Sequence, residues 1–237
     1  ILFRITPLIN AAGRMGNPAK ALDLLVSQTN KDAKICLQEL KKDNEQRKKF
    51  ENDIAQAAYA KVEASDFLKK ASILVVGDEN WHQGVIGIVA ARLVERYEKP
   101  VAVLSIENGI GKASARSVAG FNWHKALEEC QDLLDRWGGH AFAAGFSIDA
   151  NNIDEFSARL QDISARIEYA PETEKVWQPD YVVPFKDLNH DSMNWLQRFE
   201  PFGPMNETPL FCLEDVSIGS ECRIVGSSHL KIKLVHE

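Results

Sequence analysis

Apolar and polar positions along this chain follow two periods, and the switches between them divide it into segments. Residues 17–28, NPAKALDLLVSQ, gather Ala21, Leu22, Leu24 and Leu25 on one side. That spacing predicts a helix with Asn17 as N-cap and Pro18 in the first helical position. From Lys31 to about Ala64 neither Gly nor Pro interrupts and good helix formers dominate. One helix of roughly 50 Å is predicted there. Its middle, KKDNEQRKKFEND, holds a single large apolar residue, Phe50. A helix that polar is expected to bridge two bodies through solvent.

An alternation of short apolar runs and helical faces follows. ASILVVGD (71–78) predicts a buried strand and GVIGIVAARLVERY (84–97) a helix with a broad apolar face. PVAVLSIE (100–107) and GKASARSVAG (111–120) predict two more strands, the latter shorter, and NWHKALEECQDLL (122–134) a helix. GFSID (145–149) reads as a strand and NIDEFSARLQDISARI (152–167) as a helix, opened by a capping box from Asn152 to Glu155. Strand–helix repeats of this length make an α/β domain over about residues 71–170.

APETEKVWQPD (170–180) is a polar, Pro-containing linker. Beyond it the period shortens: PLFCLEDVSI, ECRIVG and HLKIKLV are brief strands separated by Gly, Pro and Ser. A small β domain of OB type is the expected fold. No internal repeat or low-complexity tract is visible.

Composition changes this picture in three places. At 45% hydrophobic and 26% charged residues the chain reads as an ordinary globular protein, and no apolar run is long enough to span a membrane. Cys36, Cys130, Cys212 and Cys222 are scattered without a C-x-x-C pair or a His cluster, which argues against zinc and for reduced, cytoplasmic thiols. The net charge of −6 is uneven: residues 1–70 carry 13 Lys/Arg against 9 Asp/Glu, residues 71–171 carry 9 against 14, and residues 172–237 carry 6 against 11. A basic segment joined to acidic ones permits a local polyanion site. The chain opens on ILFRITPLIN without an initiator Met and stops on an unturned HLKIKLVHE. It reads as cut at both ends, with no signal peptide.

Candidate chemistry gathers at glycines. In DRWGGHAFAAGF (135–146), Gly138 and Gly139 precede His140, and Ala141, Ala143, Ala144 and Gly145 follow. Such a turn exposes amide N–H groups, and His140 falls where a helix N-terminus could start, a natural phosphate position. A helix C-cap at Gly138 with a surface His140 fits the same stretch equally well. Ser114 and Arg116 in GKASARS share one face of an extended segment, where a guanidinium beside a hydroxyl makes a phosphate clamp. Taken alone, an exposed strand edge with ordinary polar residues explains them too. Arg14 in NAAGR stands beside a Gly turn, with Asn10 upstream; Lys112 adds charge, and His82 precedes a helix, where a structural role is the simpler reading. D-x-D, H-E-x-x-H, G-x-S-x-G and P-loop patterns are all absent, so the sequence offers no metal centre or nucleophile of its own.

Taken in series, INAAGRMG, WHQGVIGIVAARLVERY, GKASARSVAGFN, GGHAFAAGF and FEPFGPMNETPLF resemble the RecJ family, single-strand-specific 5′→3′ exonucleases of the DHH phosphoesterase superfamily. The resemblance covers essentially the whole chain. It implies the tail of a catalytic DHH domain (1–30), a long connecting helix (31–70), a DHH-associated α/β domain with the GGH motif (71–170) and the start of a truncated OB-fold (173–237). It implies that His140 meets the nucleotide at the reacting centre. Arg14, Ser114 and Arg116, with Asn10, His82, Lys112, Gly138 and Gly139, would surround DNA phosphates, including the 5′-terminal one. The sugar–phosphate backbone would then be what approaches Gly138 and Gly139. Mn²⁺ or Mg²⁺ would be held by residues this chain lacks, so the chain supplies strand binding within DNA repair and recombination. Single-stranded DNA is the implied partner, beside a single-strand-binding protein or a helicase. The alternatives are a DHH-type phosphodiesterase for short RNAs or cyclic dinucleotides, and a pure strand-binding module.

Overall fold

The computed structural model describes residues 4–167, 178–203, 205–226 and 229–236, and most of the linker expected at 170–180 lies outside them. The chain divides into two units, meeting at Thr173 and Glu174.

The first unit opens with helices α1 (Thr6–Arg14), α2 (Ala19–Val26), α3 (Asn30–Ala64) and α4 (Asp66–Lys70). Helix α1 differs from the expected turn at 10–14. Leu8, Ala11 and Ala12 are buried at helical spacing, and the helix runs through Gly13 to Arg14; it is Gly16, at φ +91, that ends it, with Asn17 N–H donating to the Ala12 carbonyl at 3.0 Å. Helix α2 starts after Pro18 and has no side-chain cap, so Asn17 does not serve as one. Thr29 caps α3, its Oγ1 accepting from the Asp32 N–H at 3.1 Å. Helix α3 does join two apolar clusters, Leu40 packing with Leu8, Ala12 and Ala21, and Ile54, Ala55, Ala58 and Val62 packing on the next layer. Its polar middle is not simply solvated. Asp43 and Glu51 are buried, the first against Lys20 and the second between Arg47 and Arg92. Charge pairing is what allows so polar a stretch to pack.

Strands β1 (Leu74–Asp78), β2 (Val101–Glu107), β3 (Ile110–Arg116), β4 (Leu134–Gly139) and β5 (Ala143–Asp149) form one sheet in the order β1-β2-β3-β5-β4. Only β1 and β2 are parallel, joined through α5 (Ile86–Tyr97). A two-residue turn at Asn108 and Gly109, both at positive φ, closes the β2–β3 hairpin. Helices α6 (Trp123–Glu129) and α7 (Ile153–Arg166) cover one face around Trp123, Phe156, Leu160 and Ile148. Burying side chains of this size contributes about 1.5–3 kcal/mol each. Helices α3 and α5 cover the other face over β1 and β2 through Leu74, Val76, Val101 and Val103.

Two expectations fail here. The helix expected over 122–134 stops at Glu129, and residues 134–139 pair with β5 as a strand. Helix α7 has no capping box: Asn152 is helical at φ −94 and makes no side-chain cap, while the Asp149 side chain accepts from Asn151 N–H.

The second unit contains β6 (Tyr181–Val182), α8 (His190–Gln197), β7 (Phe211–Cys212), β8 (Val216–Ile218), β9 (Arg223–Val225), β10 (His229–Lys231) and β11 (Leu234–His236). Three two-stranded ladders, β6 with β7, β8 with β11 and β9 with β10, make up its sheet structure among the described residues. Helix α8, capped by Asn189, had no counterpart in the sequence reading.

Candidate nucleic-acid interface

Alternation along β3 sends Gly111, Ala113 and Ala115 toward the α6–α7 core and Lys112, Ser114 and Arg116 to the opposite face. There Arg116 Nη1 donates to Ser114 Oγ at 3.1 Å and to the Ala115 carbonyl at 2.7 Å. The Trp123 indole N–H donates to the Arg116 carbonyl at 2.8 Å, which fixes the strand end. Burial, and after it the Arg14 charge, push the Arg116 pKa below its ordinary value. Neither arginine is in an ion pair among the described residues. A half-buried guanidinium facing a like charge and no carboxylate is favourable ground for an anion.

Two glycines set this arrangement. A Cβ on Gly87, at the start of α5, would lie 2.9 Å from Ser114 Oγ and 3.2 Å from Arg116 Nη2. One on Gly84 would lie 1.9 Å from the Arg14 carbonyl oxygen, so the end of α1 presses directly on this loop. Arg14 Nη1 in turn donates to the Gly84 carbonyl at 3.2 Å. His82 takes the structural role that sequence favoured: its Nδ1 accepts from Gly84 N–H at 3.0 Å and its ring stacks on Phe50 at 5.1 Å. Arg14, His82, Gln83 and Gly84 line a cavity of about 650 Å³ that also contains Glu79 and Glu107.

Beyond α5 the same sheet face is bare. Register aligns Ser114 with Gly145 and Gly138, and Arg116 with Ala143. Gly138 and Gly145 are exposed, and nothing would stand within 4 Å of a Cβ on Gly138. Gly139 answers differently from the expectation. It sits at φ +140, and a Cβ there would lie 2.5 Å from the Ala143 carbonyl oxygen and from Ala144 Cα. Strand β5 is what approaches Gly139, so packing accounts for this glycine, while Gly138 leaves space open.

His140 does not start a helix. It lies in the β4–β5 turn, its N–H donating to the Ala143 carbonyl at 2.9 Å and its Nδ1 accepting from Phe142 N–H at 3.3 Å. The Trp123 amide holds Ala141 and the Ser117 amide holds Phe142, which ties the turn to the end of β3 that carries Arg116. The structure thus brings Arg14, Ser114, Arg116, Lys112, Gly138 and His140 to one sheet face and its rim. Asn10 lies one turn before Arg14 on α1 and outside the cavity. Two further candidates escaped the sequence reading, Gln83 and Arg136; Arg136 falls between the helix expected over 122–134 and the glycine pair.

No helix among the described residues is long and apolar enough to cross a membrane. Among them no three His, Cys, Asp or Glu side chains gather as metal ligands. The donor sets among the described residues therefore do not fit a divalent metal.

The DHHA1 domain family matches residues 55–165 and the RecJ OB domain family residues 179–237. The single-stranded-DNA-specific exonuclease RecJ of Bacillus subtilis is 32% identical over 98% of this chain and 29% of its own length. The RecJ of Thermus thermophilus is 33% identical over 99% of this chain and 33% of its own. The chain thus spans about a third of the length of these relatives. The crystal structure of Thermus thermophilus RecJ in complex with Mg²⁺ matches 98% of this chain and 36% of its own at a TM-score of 0.80. An exonuclease RecJ bound to manganese matches 71% of this chain and 41% of its own at a TM-score of 0.62.

Proposed function

Because the chain belongs to the RecJ family, we propose that it is the strand-holding part of a single-stranded-DNA-specific 5′→3′ exonuclease. The observation that carries this reading is the Arg116–Ser114 pair, half-buried, without a carboxylate and open onto an exposed glycine floor. Arg116 and Ser114 hold a phosphate, the 5′-terminal one in a strand positioned for cleavage, and Arg14 adds a second positive charge. Gly138 gives the sugar–phosphate backbone room against the sheet. His140, on the exposed rim, donates to the nucleotide at the reacting centre, where a donor aimed at developing negative charge lowers the barrier selectively. Its Nδ1 already accepts from Phe142, which leaves Nε2 to face the strand.

Bond cleavage in this reading would draw on Mn²⁺ or Mg²⁺, which would supply metal-assisted hydrolysis and would be held by residues outside the strand-holding set. The second unit adds an OB-type surface for more of the strand. DNA repair and recombination in the cytoplasm is the setting, with a single-strand-binding protein or a helicase as protein partner.

Titration of the ¹⁵N-labelled chain with a short single-stranded deoxyoligonucleotide tests the surface. Shifts are expected to concentrate on the amides of residues 112–117 and 138–142. Saturable binding that leaves both segments unmoved would overturn the assignment.

A further inference from the structure

One cross-strand row beyond the clamp carries a second set of cations. Register aligns Lys112 on β3 with Ser147 on β5, and Ser147 with Arg136 on β4. These three line a groove of about 560 Å³ with Gln83 and Gly145. Lys112 Nζ donates to the neutral Gln83 Oε1 at 3.3 Å, and among the described residues neither Lys112 nor Arg136 has an acidic partner. Gln83 also lines the cavity that contains Arg14, so the two recesses adjoin. Residues two apart on a strand are about 6.7 Å apart, so this row stands one short step from Ser114. The positive track then stops. Asp149 lies opposite Ile110, the next position along this face, and Asp135, in the bulge of β4, lines the same groove as the row.

We propose that Lys112, Ser147 and Arg136 form a second phosphate subsite, for one phosphate covalently linked to that held by Ser114 and Arg116. This rests on the clamp reading above and extends it to Arg136 and Ser147. Two cations and a hydroxyl suit a tetrahedral anion, each oxygen meeting a charged or hydroxyl donor. Asp149 beyond the row and Asp135 at its β4 side disfavour a third phosphate, so the face accommodates two. Two sources supply such a group: the next backbone phosphate of a strand, or the outer phosphates of a 5′-polyphosphorylated end. Both present the same chemistry to the row.

The full 237-residue chain, wild type and Lys112→Gln/Arg136→Gln, is titrated with three fluorescent single strands of one sequence. The first carries a 5′-monophosphate, the second the same end with a neutral methylphosphonate at the first linkage, and the third a 5′-triphosphate. Glutamine keeps length and polarity, and both side chains are exposed, so an unchanged melting temperature is expected. The double variant is expected to lose about 5- to 20-fold in affinity for the strand whose second phosphate fills the row. Its slope of log affinity against log salt should fall by about 0.7, one phosphate contact. A loss erased by the methylphosphonate identifies the backbone phosphate; a loss enlarged on the triphosphate identifies the polyphosphate end. Equal affinities of wild type and double variant for all three strands would overturn the subsite. Arg116→Ala, run alongside, separates the two ideas: weakened 5′-monophosphate binding there, with a silent double variant, removes the subsite and leaves the clamp standing. Unchanged binding by Arg116→Ala removes the clamp itself.

Discussion

Arg116 Nη1 lies 3.1 Å from Ser114 Oγ, and the Gly87 Cα that faces them carries no side chain to push them apart. The pair is thus positioned from two sides, by the β3 backbone beneath and by the first turn of α5 above. Neither side supplies a carboxylate. A salt-bridged arginine would have to give up its partner before taking a phosphate; this one does not.

Gly87→Ala separates clamp geometry from fold stability. The added methyl would meet Ser114 Oγ at 2.9 Å and Arg116 Nη2 at 3.2 Å, both movable side-chain ends. Alanine in a helix gains up to about 1 kcal/mol over glycine. The expected outcome is an unchanged or raised melting temperature with phosphate affinity lowered several-fold. A melt and a strand titration on one preparation check both.

Gly138 and Gly139 should respond in opposite ways. Alanine at 139 meets β5 backbone at 2.5 Å and must hold φ +140, so a loss of about 2–4 kcal/mol is expected in denaturant unfolding. Alanine at 138 enters open space, so stability should stay within about 0.5 kcal/mol while strand affinity falls. Equal destabilisation by both would mean that Gly138, too, is a packing glycine.

His140→Ala should leave the melting temperature unchanged, since the ring is exposed and accepts one weak hydrogen bond. If the proposed reading holds, single-turnover cleavage by the full-length protein should fall by about 10²–10³-fold. Long-strand affinity, spread over many phosphates, should hardly move. A parallel fall in stability and rate would mark His140 as structural.

Cys130 is buried, and burial raises its thiol pKa from 9.0 to about 11. In the folded chain it should resist alkylation at pH 8, whereas exposed Cys222 reacts. Between pH 9 and 11 the unfolded chain releases the Cys130 proton while the folded chain keeps it, so this contribution to stability falls as pH rises through that window. Chemical denaturation at pH 8.5 and 10.5, with Cys130→Ala as reference, measures it.

The strand–helix alternation between residues 71 and 167 was legible because its apolar runs are long and bounded by Gly, Pro or caps. Strand β4 was not. Leu134, Asp135, Arg136 and Trp137 break the two-residue alternation at a bulge, and an edge strand over an open face needs no apolar residues there. Helix α1 was hidden because NAAGR reads as a turn until Leu8, Ala11 and Ala12 are seen packed on α3. The spacing of two already put Ser114 and Arg116 on one strand face, where the structure has them, but spacing alone fitted an ordinary strand edge as well. The parts played by Gly84 and Gly87 depend on which elements approach them, which no local pattern encodes. Arg136 became a candidate only once register aligned it with Ser147 and Lys112.

In the proposed reading Arg116 and Ser114 hold a terminal phosphate of a single strand. Fluorescence anisotropy of the wild-type chain and Arg116→Ala, each with 5′-phosphate and 5′-hydroxyl versions of one strand, tests it most directly. Wild type should prefer the phosphorylated strand by about tenfold, the scale of a charge-assisted contact on a half-exposed group. Arg116→Ala should bind both strands alike. A preference that survives the substitution intact would contradict the assignment and place the phosphate elsewhere.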